Sequence, residues 1–154
     1  MGAVVVNREG AGAGLNSLGV SAKSGLQKNW ASATTVIDLS AASATVNLFV
    51  AGGPGRIQRV TAMYPEATSA DGDGTIVCGS LLYSSGALVT DADKFATAIP
   101  DASGAIGDLQ DITLTSTPNF EEGEVVTVGH TQKTGAGTAH ITVEYTIDDE
   151  GWDD

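Results

Sequence analysis

Two histidines, one cysteine and an acid-rich loop are the groups in this 154-residue chain whose chemistry matters first. His130 and His140 would make a metal or acid–base pair only if their imidazoles met, and they lack the HxxxH spacing that places two on one face. In Thr138–Ile147, the residues Ala139, Ile141, Val143, Tyr145 and Ile147 alternate with Thr138, His140, Thr142, Glu144 and Thr146, the pattern of a half-buried antiparallel strand. Its expected partner is Glu124–His130, returned through the loop Thr131–Gly137, with Val126 and Val128 packing beside Val143 and Ile141. In that register His130 faces inward at a strand end and His140 faces outward, so the two share no metal. Cys78, inside the β-like run Gly74–Tyr83, reads as a small core residue rather than a nucleophile. Being alone, it closes no intrachain disulfide and joins no cysteine-rich zinc site.

The acids and glycines pass through the same test. Asp71-Gly72-Asp73-Gly74 begins like a calcium loop, but Thr75 and Ile76 follow where an EF-hand needs a carboxylate or amide and then Gly, so a turn is expected. Five of the seven residues from Asp148 to Asp154 are acidic, which suits a solvated tail. Gly10, Gly12 and Gly14 are followed by neither the third spaced glycine nor the Lys-Ser/Thr pair of a phosphate loop, and no GxSxG elbow occurs. The expectation is a chain without catalytic residues, cofactor or metal.

The elements that would position these residues are short. From Thr34 onward, β-like runs cover Thr34–Leu39, Ala44–Val50, Arg56–Tyr64, Gly74–Tyr83, Phe95–Ile99, Leu109–Ser116, Glu124–His130 and Thr138–Ile147. Turn residues such as Gly52-Gly53-Pro54-Gly55 and Ser84-Ser85-Gly86 separate them. Eight runs with breaks of this kind predict an all-β fold, a jelly-roll-like or related antiparallel β-sandwich. No window repeats apolar residues at the helical spacing.

Residues 8–33 behave differently, with five glycines, no periodicity, and yet Leu15, Leu18, Val20, Leu26 and Trp30. Two readings stay open. One is a loop packed on its own domain; the other, adopted here, is an extended N-terminal arm that orders against a partner, since glycine raises the entropy lost on ordering. The expected organisation is an arm at 1–33, a β-sandwich body at 34–147 and an acidic C-terminal tail at 148–154.

Charge separates the same regions. The chain carries a net −12; residues 1–62 hold five cations against two acids, a balance of +3, and residues 63–154 hold two cations against seventeen acids, a balance of −15. An acidic body repels phosphate backbones, so no nucleic-acid partner is expected. No run approaches the roughly 20 apolar residues of a membrane-spanning helix. Ala3-Val4-Val5-Val6 is too short for a signal-peptide core, so Sec-type export is not expected.

A glycine-rich N-terminal segment leading into RIQRVTAMY (56–64), DGDGTIVCGSLLYSS (71–85), DADKFATAIP (91–100) and GAGTAHITVEYTIDD (135–149) resembles the small capsid cement, or decoration, proteins of tailed bacteriophages. The resemblance spans most of residues 45–149. It implies a jelly-roll or related body, a homo-oligomer (a trimer, or else a dimer), and a non-enzymatic role clamping neighbouring major capsid subunits on the outside of the virion after synthesis in the host cytoplasm. The alternative is a glycan- or receptor-binding β-sandwich of a phage tail or cell-surface appendage.

Overall fold

The computed structural model describes residues 29–65, 74–100, 107–133 and 137–148. Its strands belong to the compact unit Trp30–Asp148, which they enter at Asn29; a second unit, Met1–Asn29 with Asp149–Asp154, otherwise lies outside the described residues. The strands are β1 (Asn29–Asp38), β2 (Ala44–Val50), β3 (Gly55–Met63), β4 (Thr75–Ser84), β5 (Ala87–Ala98), β6 (Leu109–Ile112), β7 (Asn119–Phe120), β8 (Val125–Thr131) and β9 (Thr138–Ile147).

Two antiparallel sheets form a sandwich. One has the order β1-β9-β3-β6, with the short β7 also on β3, and the other has the order β2-β8-β4-β5. Apart from the β4–β5 hairpin and the neighbours β6 and β7, successive strands pass back and forth between the sheets, as in the double Greek key of a jelly roll. Ile37, Ile57, Val60, Ile76, Cys78, Phe95, Val126, Val128, Ile141 and Val143 fill the space between them. At one end Phe49 stacks on Tyr145 with ring centroids 4.0 Å apart, while Phe120 meets both rings edge-on.

The jelly-roll order corrects the expected hairpin at the end of the chain. β9 pairs with β3 in the register Val143↔Val60 and Ile141↔Ala62, whereas β8 lies in the other sheet between β2 and β4. Val126 and Val128 do face the same core as Ile141 and Val143, but across the sandwich and not beside them. A seven-residue loop containing glycine suits a hairpin and an inter-sheet crossing alike, and only the competition for partners decides between them.

The alternation along β9 holds for Ala139, Ile141 and Val143, all fully buried. The opposite face is shaded more than expected, because β9 is flanked on both sides: His140, Thr142 and Glu144 are half-buried, and Thr146 is buried with its hydroxyl accepting from Gln58 Nε2 at 3.0 Å. Gln58 is the extra residue of a bulge in β3, since Glu144 pairs with Arg59 and Tyr145 with Ile57.

Other boundaries moved too. β1 starts at Asn29, ahead of Thr34, and brings Trp30 into the sheet. β5 starts at Ala87 and not Phe95, the stretch ahead of Phe95 holding Asp91 and Asp93, which disfavour strand. β6 ends at Ile112, after which Leu114 keeps only a single bridge to Ala96.

Candidate interaction surface

The groups with catalytic potential are kept apart or enclosed. His130 stands at the end of β8 with Nε2 3.3 Å from the Ala41 carbonyl, which it reaches as a donor in the Nε2–H form. His140 lies on β9, in the other sheet, opposite Met63. Cys78 sits in the core, where burial pushes its thiol up to about 12 and keeps it protonated at neutral pH. Among the described residues no three His, Cys, Asp or Glu side chains gather to hold a metal. Asp71, Gly72 and Asp73 lie outside the described residues, as does the tail beyond Asp148.

What stands out instead is a hairpin. β4 pairs with β8 from Thr75 to Leu81, and beyond that point it pairs with β5 alone. The ribbon thus runs past its sheet: Leu82↔Val89 and Tyr83↔Leu88 are cross-strand pairs on its two faces, and Ser84↔Ala87 closes it. Ser85 and Gly86 form a two-residue turn with φ of 53° and 79°, the left-handed pair of a type I′ turn, whose twist matches the strands. Tyr83, Leu88 and Val89 are between 52% and 72% exposed. A two-stranded ribbon is marginal by itself in water, and here Leu82 is half-buried while Tyr83, Leu88 and Val89 stay open on its two faces.

Its base, by contrast, is held tightly. Cys78 pairs with Ala96 and Ser80 with Asp91, so four residues of β5 stand opposite the single residue Gly79. The β5 backbone folds over Gly79, where a Cβ would lie 2.1 Å from the Asp91 carbonyl oxygen; only glycine fits. Lys94, within that fold-over, donates to the buried carboxylate of Glu124, which also accepts the Glu121 N–H at 2.8 Å. Burial pushes the Glu124 carboxyl up, but hydrogen bonds from Lys94, the Glu121 N–H and Ser80 outweigh it and hold the group below its ordinary value. Thr115 ties the same stretch to the opposite sheet's connection, with its hydroxyl donating to the Lys94 carbonyl at 2.7 Å and its N–H to the Phe95 carbonyl at 2.9 Å.

The arm residues are only partly visible. Leu15, Leu18, Val20 and Leu26 lie outside the described residues; Trp30 sits in β1, 63% exposed. Sequence reasoning marked Ser84-Ser85-Gly86 as a break but missed Leu82, Tyr83, Leu88 and Val89 as a surface. The available signal was the placement of apolar residues on both sides of a Ser-Gly turn.

No family model and no curated protein matches the chain. A solved chain from a cyanophage Pam1 capsid asymmetric unit overlaps 80% of this chain and 88% of its own, with a TM-score of 0.46 and 10% identity. Another, from Bacillus endospore appendages that form a novel family of disulfide-linked pili, overlaps 84% of this chain and 99% of its own, with a TM-score of 0.27 and 18% identity. Likenesses this remote carry no argument about role, so the reading rests on the surface itself.

Proposed function

We propose that this chain is a non-catalytic assembly protein of a phage virion, a cement protein that docks on the major capsid protein at the capsid exterior and holds neighbouring subunits together. The protruding hairpin is the observation that supports this reading. It offers Leu82, Tyr83, Leu88 and Val89 in a rigid, twisted form whose turn and anchored base cost little further ordering on binding. Asp91 and Asp93 border it, while Lys94 is engaged by Glu124, so it fits an apolar cleft with a basic rim.

The segment ahead of β1, with Leu15, Leu18, Val20 and Leu26, adds a second contact, and Trp30 stands exposed at the start of β1 beside it in sequence. A homo-oligomer presenting several hairpins and arms makes each later contact intramolecular, raising apparent affinity without further chemistry. The glycan-binding alternative would need a shared stacking platform, and the exposed aromatics among the described residues, Trp30 and Tyr83, sit on β1 and β4 in different sheets.

Co-sedimentation with empty heads, assembled from the major capsid protein encoded nearest this gene, tests the proposal. Wild-type protein is expected to pellet with the heads. Tyr83→Lys and Leu88→Lys, both at exposed positions, should keep the circular dichroism spectrum and weaken binding at least about tenfold. Undiminished binding by both variants removes the hairpin from the docking surface; absent binding together with a hit on a glycan array favours the alternative.

A further inference from the structure

One row of inward-facing side chains crosses the four-stranded sheet through Ala96, Cys78, Val128 and Val46. Exposure along it is 0%, 1%, 0% and then 41%, so the core is sealed at β5 and open at β2. β1, an edge strand of the other sheet among the described residues, shows the same opening toward its start: Ile37 is buried and Ala33 half-buried, while Ala31 is exposed. Because β5 and β6 close one flank of the sandwich through the Ala96↔Leu114 bridge, the β1 and β2 edges share the opposite flank. Neither strand contains proline, and Asp38, the last residue of β1, is the one charge in residues 29–50. Natural edges are usually guarded by charges or proline; these two edges are not.

We propose that the β1–β2 flank is the surface on which a second copy of this chain docks, open seam against open seam. Charge selects that partner. Each copy carries −12, and Asp91, Asp93, Asp108 and Asp111 crowd the β5–β6 side, so copies repel in most orientations. Approach through β1 and β2 brings uncharged strands together and keeps the acidic flanks apart. A basic partner would be drawn to the other side. Contact covers Val46 and Ala31 and gives the outward-pointing N–H and C=O groups of both edges a ladder to pair with.

Sedimentation equilibrium of the full chain over a range of concentrations and salt tests this. Wild type is expected to self-associate, more tightly as salt rises, because screening weakens the repulsion between acidic bodies while apolar and main-chain contacts persist. Val46→Lys and Ala31→Lys, one on each lip of the seam and both at solvent-accessible positions, should each raise the dissociation constant at least about tenfold with an unchanged circular dichroism spectrum. Tyr83→Lys should leave it unaltered. A monomeric mass at every concentration, dissociation by salt, or indifference to both lysine variants overturns the proposal. So does hydrogen-exchange protection of the β1 and β2 edge amides at monomer mass, which would mean that the chain covers its own seam. Capsid binding is read separately from self-association, so either result can fail while the other holds.

Discussion

The two flanks of this sandwich are built from the same kind of strand and end in opposite states. At the β5–β6 flank the Ala96↔Leu114 bridge and two hydrogen bonds from Thr115 join the sheets, while the backbone fold-over on Gly79 and the Lys94–Glu124 pair fix β5 to its own sheet. At the β1–β2 flank the row through Val128 runs out into solvent at Val46. The difference teaches that sealing a β-sandwich takes polar and main-chain connections as well as apolar filling: at the β1–β2 flank these gather at the β1–β2 connection, where Lys133 N–H reaches the Leu39 carbonyl at 2.7 Å and Gln132 N–H the Ser43 hydroxyl at 2.8 Å, and the stretch at Val46 and Ala31 is left for another surface. On the closed flank those connections also anchor the exposed hairpin, so rigidity and display go together there.

The sharpest break of this comparison comes from one substitution at two places in the same row. Val128→Asp buries an unpaired carboxylate and should cost several kcal/mol, enough to unfold a marginal domain, whereas Val46→Asp should change the unfolding free energy of the monomer, read from chemical denaturation, by no more than about 0.5 kcal/mol. Equal damage would mean that the β2 flank is sealed after all.

Next in size is the pair at the hairpin's base. Lys94→Met leaves Glu124 buried without its cation and should cost about 3–5 kcal/mol in chemical denaturation, while the double variant Lys94→Met/Glu124→Gln should recover much of that loss. Gly79→Ala should follow at a few kcal/mol, because its methyl meets backbone and not a yielding side chain.

The pH dependence is smaller and has a definite sign. Glu124 is depressed in the folded state, so its contribution is fully present above its ordinary value of 4.5 and is lost as pH falls through the lower folded value. Melting scans between neutral pH and pH 3 should show a flatter acid limb for Glu124→Gln than for wild type. Asp111, held low by its hydrogen bond from Arg59 at 2.7 Å, is exposed on the outer face; Asp111→Asn should change the same scans little.

Much of the fold was legible in the order of residues. The all-β class, the inward face of Ala139, Ile141 and Val143, and the burial of Cys78 follow from alternation and composition, which act over a few residues and need no partner. The hairpin at Leu82–Val89 was half legible: the turn at Ser85-Gly86 is a local matter, but the return strand carries Asp91 and Asp93 and holds only because Leu81, Leu82 and Tyr83 lie across from it.

What tertiary structure alone decided is partnership. Whether β9 pairs with β8 or crosses to β3, which strands become edges, and that Val46 stays exposed while Val128 is sealed in the same row all depend on contacts distant along the chain. An apolar residue at an alternating position records only that it faces inward. Whether another sheet, another strand or solvent awaits it there is set by how the two sheets close, and here the closure covers Val128 and stops short of Val46.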